Sequence, residues 1–212
     1  MTFDDWYRIT LAGDAFLVLT MALITQGYLF FTGPAKLARL ALFEFWLAAS
    51  LVVASKFAYW AWGFGLTVID FKGLSGHSML SAAVYPMLLC VLTRDLGAHR
   101  PTIWIGWLGG WTVALCIGYS RLCTYVHSPS EVVLGLLVGT IFSLVFCIRL
   151  LGANERLGQF RPAMIAWLVA LSVATSQLYG KVAPFNDAII EHASKYAAQS
   201  CVNRAGRREC QW

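Results

Sequence analysis

The sequence predicts an all-α, polytopic membrane protein, a bundle of six transmembrane helices. Three observations lead there. The 212 residues are 58% hydrophobic and 13% charged, with a mean hydropathy of +0.64, whereas a soluble domain carries about 25% charged residues. Apolar segments lie near 11–31, 40–62, 75–93, 102–120, 129–150 and 162–180, each near the ~20 residues a helix needs to cross the hydrocarbon layer. Helices are expected rather than strands, because an open sheet edge leaves backbone polar groups unpaired in lipid.

Each element has a local reason. The opening "MTFDDWYRIT" is acidic and aromatic. A cleavable signal needs a basic start, so the first apolar run is expected to stay as a helix. The third segment begins after "DFKGLSGH". The fourth follows "HRPT", where Pro101 suits a helix start. The fifth opens at "SPSE", with Ser128 as N-cap, Pro129 at the first helical position and Glu131 at the third. The sixth follows "GQFRPA". Beyond residue 183, "PFNDAIIEHASKYAAQ" reads as a short amphipathic helix before a basic tail. The expected organisation is one six-helix transmembrane domain over 1–183 and an extramembrane segment over 184–212.

Six crossings put both termini on one side, and charge in short loops sets the orientation. Lys36, Arg39, Arg94, Arg100, Arg149, Arg156 and Arg161 fall on one side; Arg8, Lys72 and Arg121 fall on the other, before the tail. The first set is expected to face the cytoplasm. Lys181, Lys195, Arg204, Arg207 and Arg208 argue the other way, but late charges influence topology less. Compact size and short loops suit a bacterial inner membrane, with both termini and the "DFKGLSGH" loop on the periplasmic side. The net charge of +5 is scattered over loops and tail. It reads as contact with lipid headgroups rather than as a nucleic-acid surface. Cys90, Cys116, Cys123 and Cys147 lie in or beside apolar runs and read as packing residues. Cys201 and Cys210 lie in the polar tail. A zinc site wants four ligands, so a disulfide is the expectation if the tail faces an oxidising compartment.

Ionisable groups inside membrane helices are costly and mark functional sites. Asp14, Lys56, His77, Arg121, His127 and Glu131 form such a set. Tracing the helix directions brings all of them to the outer face. Lys56 and Arg121 supply positive charge, while Ser75, Ser120 and the Gly76 N–H supply neutral donors. Two helix N-termini point to the same place and favour anions. Such a pocket suits a tetrahedral oxyanion, most naturally phosphate. One histidine can attack phosphorus and the other can protonate the leaving oxygen. Each residue also has a structural reading. Glu131 can cap its helix, Lys56 and Arg121 can reach to headgroups, and Asp14 can pair with either cation or face a wet crevice. Trp6, Trp60, Trp62 and Trp104 read as interfacial anchors.

The spacing of these residues resembles the type 2 phosphatidic acid phosphatase (PAP2) family, integral membrane lipid phosphatases related to vanadium haloperoxidases. The family's third motif, S-R, five residues, H, three residues, D, is matched by Ser120-Arg121, "LCTYV", His127, "SPS" and Glu131. Its second motif, P-S-G-H, is matched by Ser75, Gly76 and His77, with Leu74 at the proline position. Its first, K, six residues, R-P, is half present: Lys56 matches, but Gly63 and Phe64 stand where arginine and proline belong. The resemblance covers about residues 50 to 150.

The resemblance implies His127 as nucleophile, forming a phosphohistidine, Glu131 as its orienting carboxylate and His77 as general acid. It implies Lys56, Ser75, Gly76 and Arg121 as phosphate contacts, with Ser120 as a further one. The absent arginine removes one bidentate clamp, for which Lys72 is a candidate replacement. No metal or cofactor is required. The expected activity is hydrolysis of a lipid phosphate or pyrophosphate, such as undecaprenyl pyrophosphate, phosphatidic acid or phosphatidylglycerol phosphate. The alternatives are transfer of the phosphate to another lipid and a binding or transport protein that keeps the pocket.

Overall fold

The computed structural model describes residues 2–96, 99–153 and 191–195. The described chain forms α1 (Phe3–Leu11), α2 (Ala15–Thr32), α3 (Ala35–Trp62), a single 3₁₀ turn at Thr67–Ile69, α4 (Gly76–Asp95), α5 (Arg100–Cys123) and α6 (Pro129–Gly152). Five stretches among the described residues are long and apolar enough to cross a membrane: Phe3–Phe31, Ala35–Trp62, Gly76–Asp95, Arg100–Cys123 and Pro129–Gly152. They coincide with the first five expected spans, and the chain is a multi-pass membrane protein. The expected sixth span, most of the amphipathic segment, and Cys201 and Cys210 lie outside the described residues. Residues 191–195 are helical.

The first span differs from expectation. Helix begins at Phe3, where Thr2 and Asp5 form a reciprocal capping box, and is interrupted after Leu11. It restarts at Ala15 because Asp14 turns its carboxylate onto the Phe16 N–H at 2.9 Å. Asp14 is expected early in this helix, pairing with Lys56 or Arg121 or facing a wet crevice. It lies just before Ala15 as the N-cap, and its side chain takes up an orphan amide at the helix start.

Helix α4 is the centre of the bundle. Two-thirds of its apolar window is buried (67%), against 33–39% for the other spans. Lipid gives no hydrophobic drive for helices to associate, so close packing must hold them together. Small residues permit it. A Cβ on Gly139 of α6 would stand 2.2 Å from the Met79 carbonyl oxygen, and one on Gly110 of α5 would stand 2.5 Å from the Pro86 Cα. Two buried clusters fill the layers. One joins Val18, Ala22, Phe45, Ala48, Met79 and Val84 of α2, α3 and α4. The other brings in α5 and α6 through Ile103, Phe146 and Leu150. Phe31, Phe43, Trp46, Ile105 and Ile141 point outward, as lipid-facing side chains should.

The alternation of helices puts the end of α3, the start of α4, the end of α5 and the start of α6 at one end of the bundle. Lys36, Arg39, Arg94, Arg100 and Arg149 belong to the opposite end.

Candidate active site

The site begins where α3 stops. Gly63 adopts φ +72°, and its N–H bonds the Tyr59 carbonyl at 2.8 Å. Glycine tolerates this left-handed conformation without a Cβ penalty. The position where the family pattern places arginine is therefore a helix terminator here. The chain then doubles back, with Leu66 and Phe71 exchanging backbone hydrogen bonds of 3.1 Å. The loop is tied to α3 by the Leu74 N–H on the Ser55 hydroxyl at 3.0 Å.

α6 starts as its sequence suggests. The Ser128 hydroxyl accepts the Glu131 N–H at 3.4 Å, and Glu131 Oε2 accepts the Ser128 N–H at 3.3 Å. The same carboxylate oxygen meets His127 Nδ1 at 2.6 Å. Glu131 thus caps its helix and contacts His127 at once. His127 lies before the first residue of α6, so the pair does not rest on a shared helix face. The turn after α5 aims the imidazole, with Tyr125 at φ +57° and the Val126 N–H on the Arg121 carbonyl at 3.2 Å. Two long-range bonds complete the frame. The Lys72 N–H donates to Glu131 Oε1 at 2.9 Å, and the Ser75 N–H donates to the Glu131 carbonyl at 3.3 Å.

The His127 and Glu131 side chains are only 12% and 7% exposed. Burial pushes the His127 imidazole below the usual histidine range. The bond to Glu131 acts against that shift, and the charges of Lys56 and Arg121 add to it. A neutral imidazole that donates Nδ1–H to the carboxylate keeps its lone pair on Nε2. The tautomer follows from the hydrogen-bond partner.

A cleft of about 520 Å³ opens beside this pair, lined among others by Lys56, Trp60, Lys72, Tyr125, His127 and Glu131. Of the residues singled out in the sequence, Lys56, Lys72, His127 and Glu131 face one cavity. His77 and Arg121 are not among its lining residues. His77 is half-buried, in the first turn of α4 against the turn at Gly13. The charges of Arg121, His127 and Lys56 all reach it. Arg121 is buried in the last turn of α5. Gly76 is the first residue of α4.

Ser75 and Ser120 are fully buried and already bonded. The Ser75 hydroxyl accepts from Ser78 at 2.9 Å. The Ser120 hydroxyl meets Thr10 at 2.6 Å and the Ile117 carbonyl at 2.6 Å. Sequence reasoning missed Thr10, which pins α1 to the site end of α5. It also missed Asp70, whose carboxylate holds the Lys72 ammonium at 3.2 Å. The "DFK" spacing was the available signal for Asp70; Thr10 left none.

Comparison with known proteins gives the family. The PAP2 superfamily model matches residues 12–156. The "uncharacterized 22.5 kDa protein in cps region" of Klebsiella pneumoniae is 34% identical over 150 residues, 68% of each chain. Phosphatidylglycerophosphatase B of Bacillus subtilis (strain 168) is 32% identical over 95 residues, 43% of each chain. No solved structure matches. The matched span contains every residue that lines the cleft, and His77 as well, and the chain belongs to the PAP2 superfamily.

Proposed function

We propose that the protein is a membrane lipid phosphatase that cleaves a phosphomonoester or pyrophosphate of a lipid through a phosphohistidine on His127. The observation that carries this reading is the 2.6 Å contact between His127 Nδ1 and Glu131, beside a cleft that also holds Lys56. Family membership and a relative named as a phosphatase support the same class of activity.

In the first step the Nε2 lone pair attacks phosphorus and the P–O bond to the leaving group breaks. The electron pair departs on the leaving oxygen, which takes a proton from His77. Glu131 keeps Nδ1–H in place and stabilises the cationic ring. Lys56, Arg121 and the Gly76 N–H offset the phosphate's charge, the term that dominates phosphoryl transfer. Ser75 and Ser120, held by their bonds to Ser78 and Thr10, complete the phosphate-binding set with neutral hydroxyls. In the second step water attacks phosphorus, the N–P bond breaks, its proton passes to His77, and inorganic phosphate leaves. No step uses a metal. The lysines and arginines at the far end of the bundle favour the cytoplasm for that end. The cleft then opens to the periplasmic leaflet of a bacterial inner membrane, where a lipid headgroup enters sideways.

The test is phosphate release by the purified chain in detergent, in the presence of a chelator, from phosphatidic acid, phosphatidylglycerol phosphate and a polyprenyl pyrophosphate. Rapid quenching into alkali should trap labelled phosphate on the protein, as a base-stable phosphoramidate that acid removes. Release that needs an added divalent metal would sink the mechanism. Transfer of label to a lipid alcohol with little free phosphate would make the protein a transferase.

The pH profile is a further expected result. Protonation of His127 at Nε2 removes the nucleophile, and its pKa lies below the ordinary histidine value of 6.5. Activity should therefore hold as pH falls to 6.5 and be lost only below it, seen as the acid limb of kcat/KM. A limb centred above that value would contradict the burial-driven shift.

A further inference from the structure

The loop between α3 and α4 does two separate things with one residue. The Lys72 backbone N–H is fixed on Glu131 Oε1 at 2.9 Å. The Lys72 side chain leaves that point toward the cleft mouth, where Nζ meets Asp70 at 3.2 Å. There the lysine is 55% exposed and the aspartate 67%. Asp70 takes a left-handed backbone, φ +47°. Aspartate tolerates that conformation better than most residues, and it places the carboxylate beside Lys72.

Two lysines thus line the cleft. Lys56 lines it together with His127 and Glu131, and its charge reaches His127, as does that of Arg121 outside the cavity lining. At the mouth stands Lys72, which lines the same cavity. Its ammonium is held above the usual lysine range chiefly by its bond to Asp70, so it is charged. A cavity of about 520 Å³ falls in the size range of sites that enclose whole small molecules, so it has room beyond one phosphate. An exposed lysine–carboxylate pair is weak. An ammonium with three donors can keep Asp70 and still bond a phosphate oxygen.

We propose that Lys72 is a specificity-determining residue: it binds a second anionic group beyond the phosphate that His127 attacks, so that the cleft selects lipid diphosphates over lipid monophosphates. This rests on the phosphatase reading above for its catalytic arm, but not for its binding arm. Attack falls on the terminal phosphorus, the P–O bond to the bridging oxygen breaks, and that oxygen takes the proton from His77. The inner phosphate, now the leaving lipid monophosphate, is the group that Lys72 holds.

The experiment compares the full chain with Lys72→Met and Lys72→Arg in detergent. Both variants keep the backbone N–H on Glu131, so the orienting bond of the nucleophile survives. In the catalytic arm, KM is measured for a polyprenyl diphosphate and the monophosphate with the same tail. Lys72→Met should raise the diphosphate-to-monophosphate KM ratio about tenfold, the scale of one lost bond to a charged group, and Lys72→Arg should restore it. In the binding arm, methylenediphosphonate and inorganic phosphate are titrated into the same three proteins without turnover. Lys72→Met should remove the preference for the diphosphonate.

An unchanged ratio in Lys72→Met, or an equal loss for both ligands, overturns the proposal. Phosphate release by the native chain with no diphosphate preference would sink the role of Lys72 and leave the hydrolase standing. A Lys72-dependent diphosphonate preference without any phosphate release would do the reverse.

Discussion

Replacing His127 with alanine should reduce phosphate release by at least about 10⁴-fold, the scale on which removing a nucleophile or its partner acts in a relay of this type. KM should change little if Lys56 and Arg121 hold the phosphate as proposed. No label should be trapped on the variant. Glu131→Gln tests the relay itself. It keeps the side-chain length and an oxygen for the Lys72 or Ser128 N–H, but loses the charge that steadies an imidazolium at 2.6 Å. A fall of about 10²- to 10⁴-fold in kcat is expected, with release slowed more than binding. If His127→Ala keeps native turnover while Lys56→Ala abolishes it, the nucleophile is misassigned. The burial of both side chains makes this pair sensitive, because water cannot substitute for either partner.

Gly139→Ala should be among the most disruptive single-methyl changes in the bundle. The added Cβ would sit 2.2 Å from the Met79 carbonyl oxygen and 2.8 Å from the Ala82 Cβ. Backbone on α4 cannot rotate away as a flexible side chain can, so α6 must back off along its length. Overpacking of this sort costs about 1–3 kcal/mol. Activity should fall with stability, because the same two helices carry His77 and Glu131 at their starts. Gly27→Ala in α2 is the control. Nothing lies within 4 Å of its Cβ position, and alanine in a helix is favoured over glycine by about 0.5–1 kcal/mol. Thermal unfolding in detergent should separate the two variants, lowering the midpoint for Gly139→Ala and holding or raising it for Gly27→Ala. Equal midpoints would mean that α4 and α6 do not pack backbone to backbone.

The first five spans and the start of α6 are legible because their causes are local. Hydrophobic length marks a crossing, and Ser128, Pro129 and Glu131 announce a helix start within four residues. The pairing of His127 with Glu131 is nearly as local. Its geometry is set outside the helix, since the histidine precedes α6 and follows the turn at Tyr125. Asp14 shows where local reading fails. The sequence places it among the intramembrane charges, and the break after Leu11 makes it the N-cap of α2.

The sequence by itself determined the membrane class, the number of described crossings, the start of α6 and the residue types of a phosphate chemistry, because each follows from patterns within about one helical span. Only the tertiary structure decided what those residues touch. The Lys72 amide reaches Glu131 across 59 positions, and Ser120 meets Thr10 across 110. Such contacts depend on how closely α4, α5 and α6 approach one another. That distance is set by where Gly110 and Gly139 meet facing backbone, and no one-dimensional pattern records it.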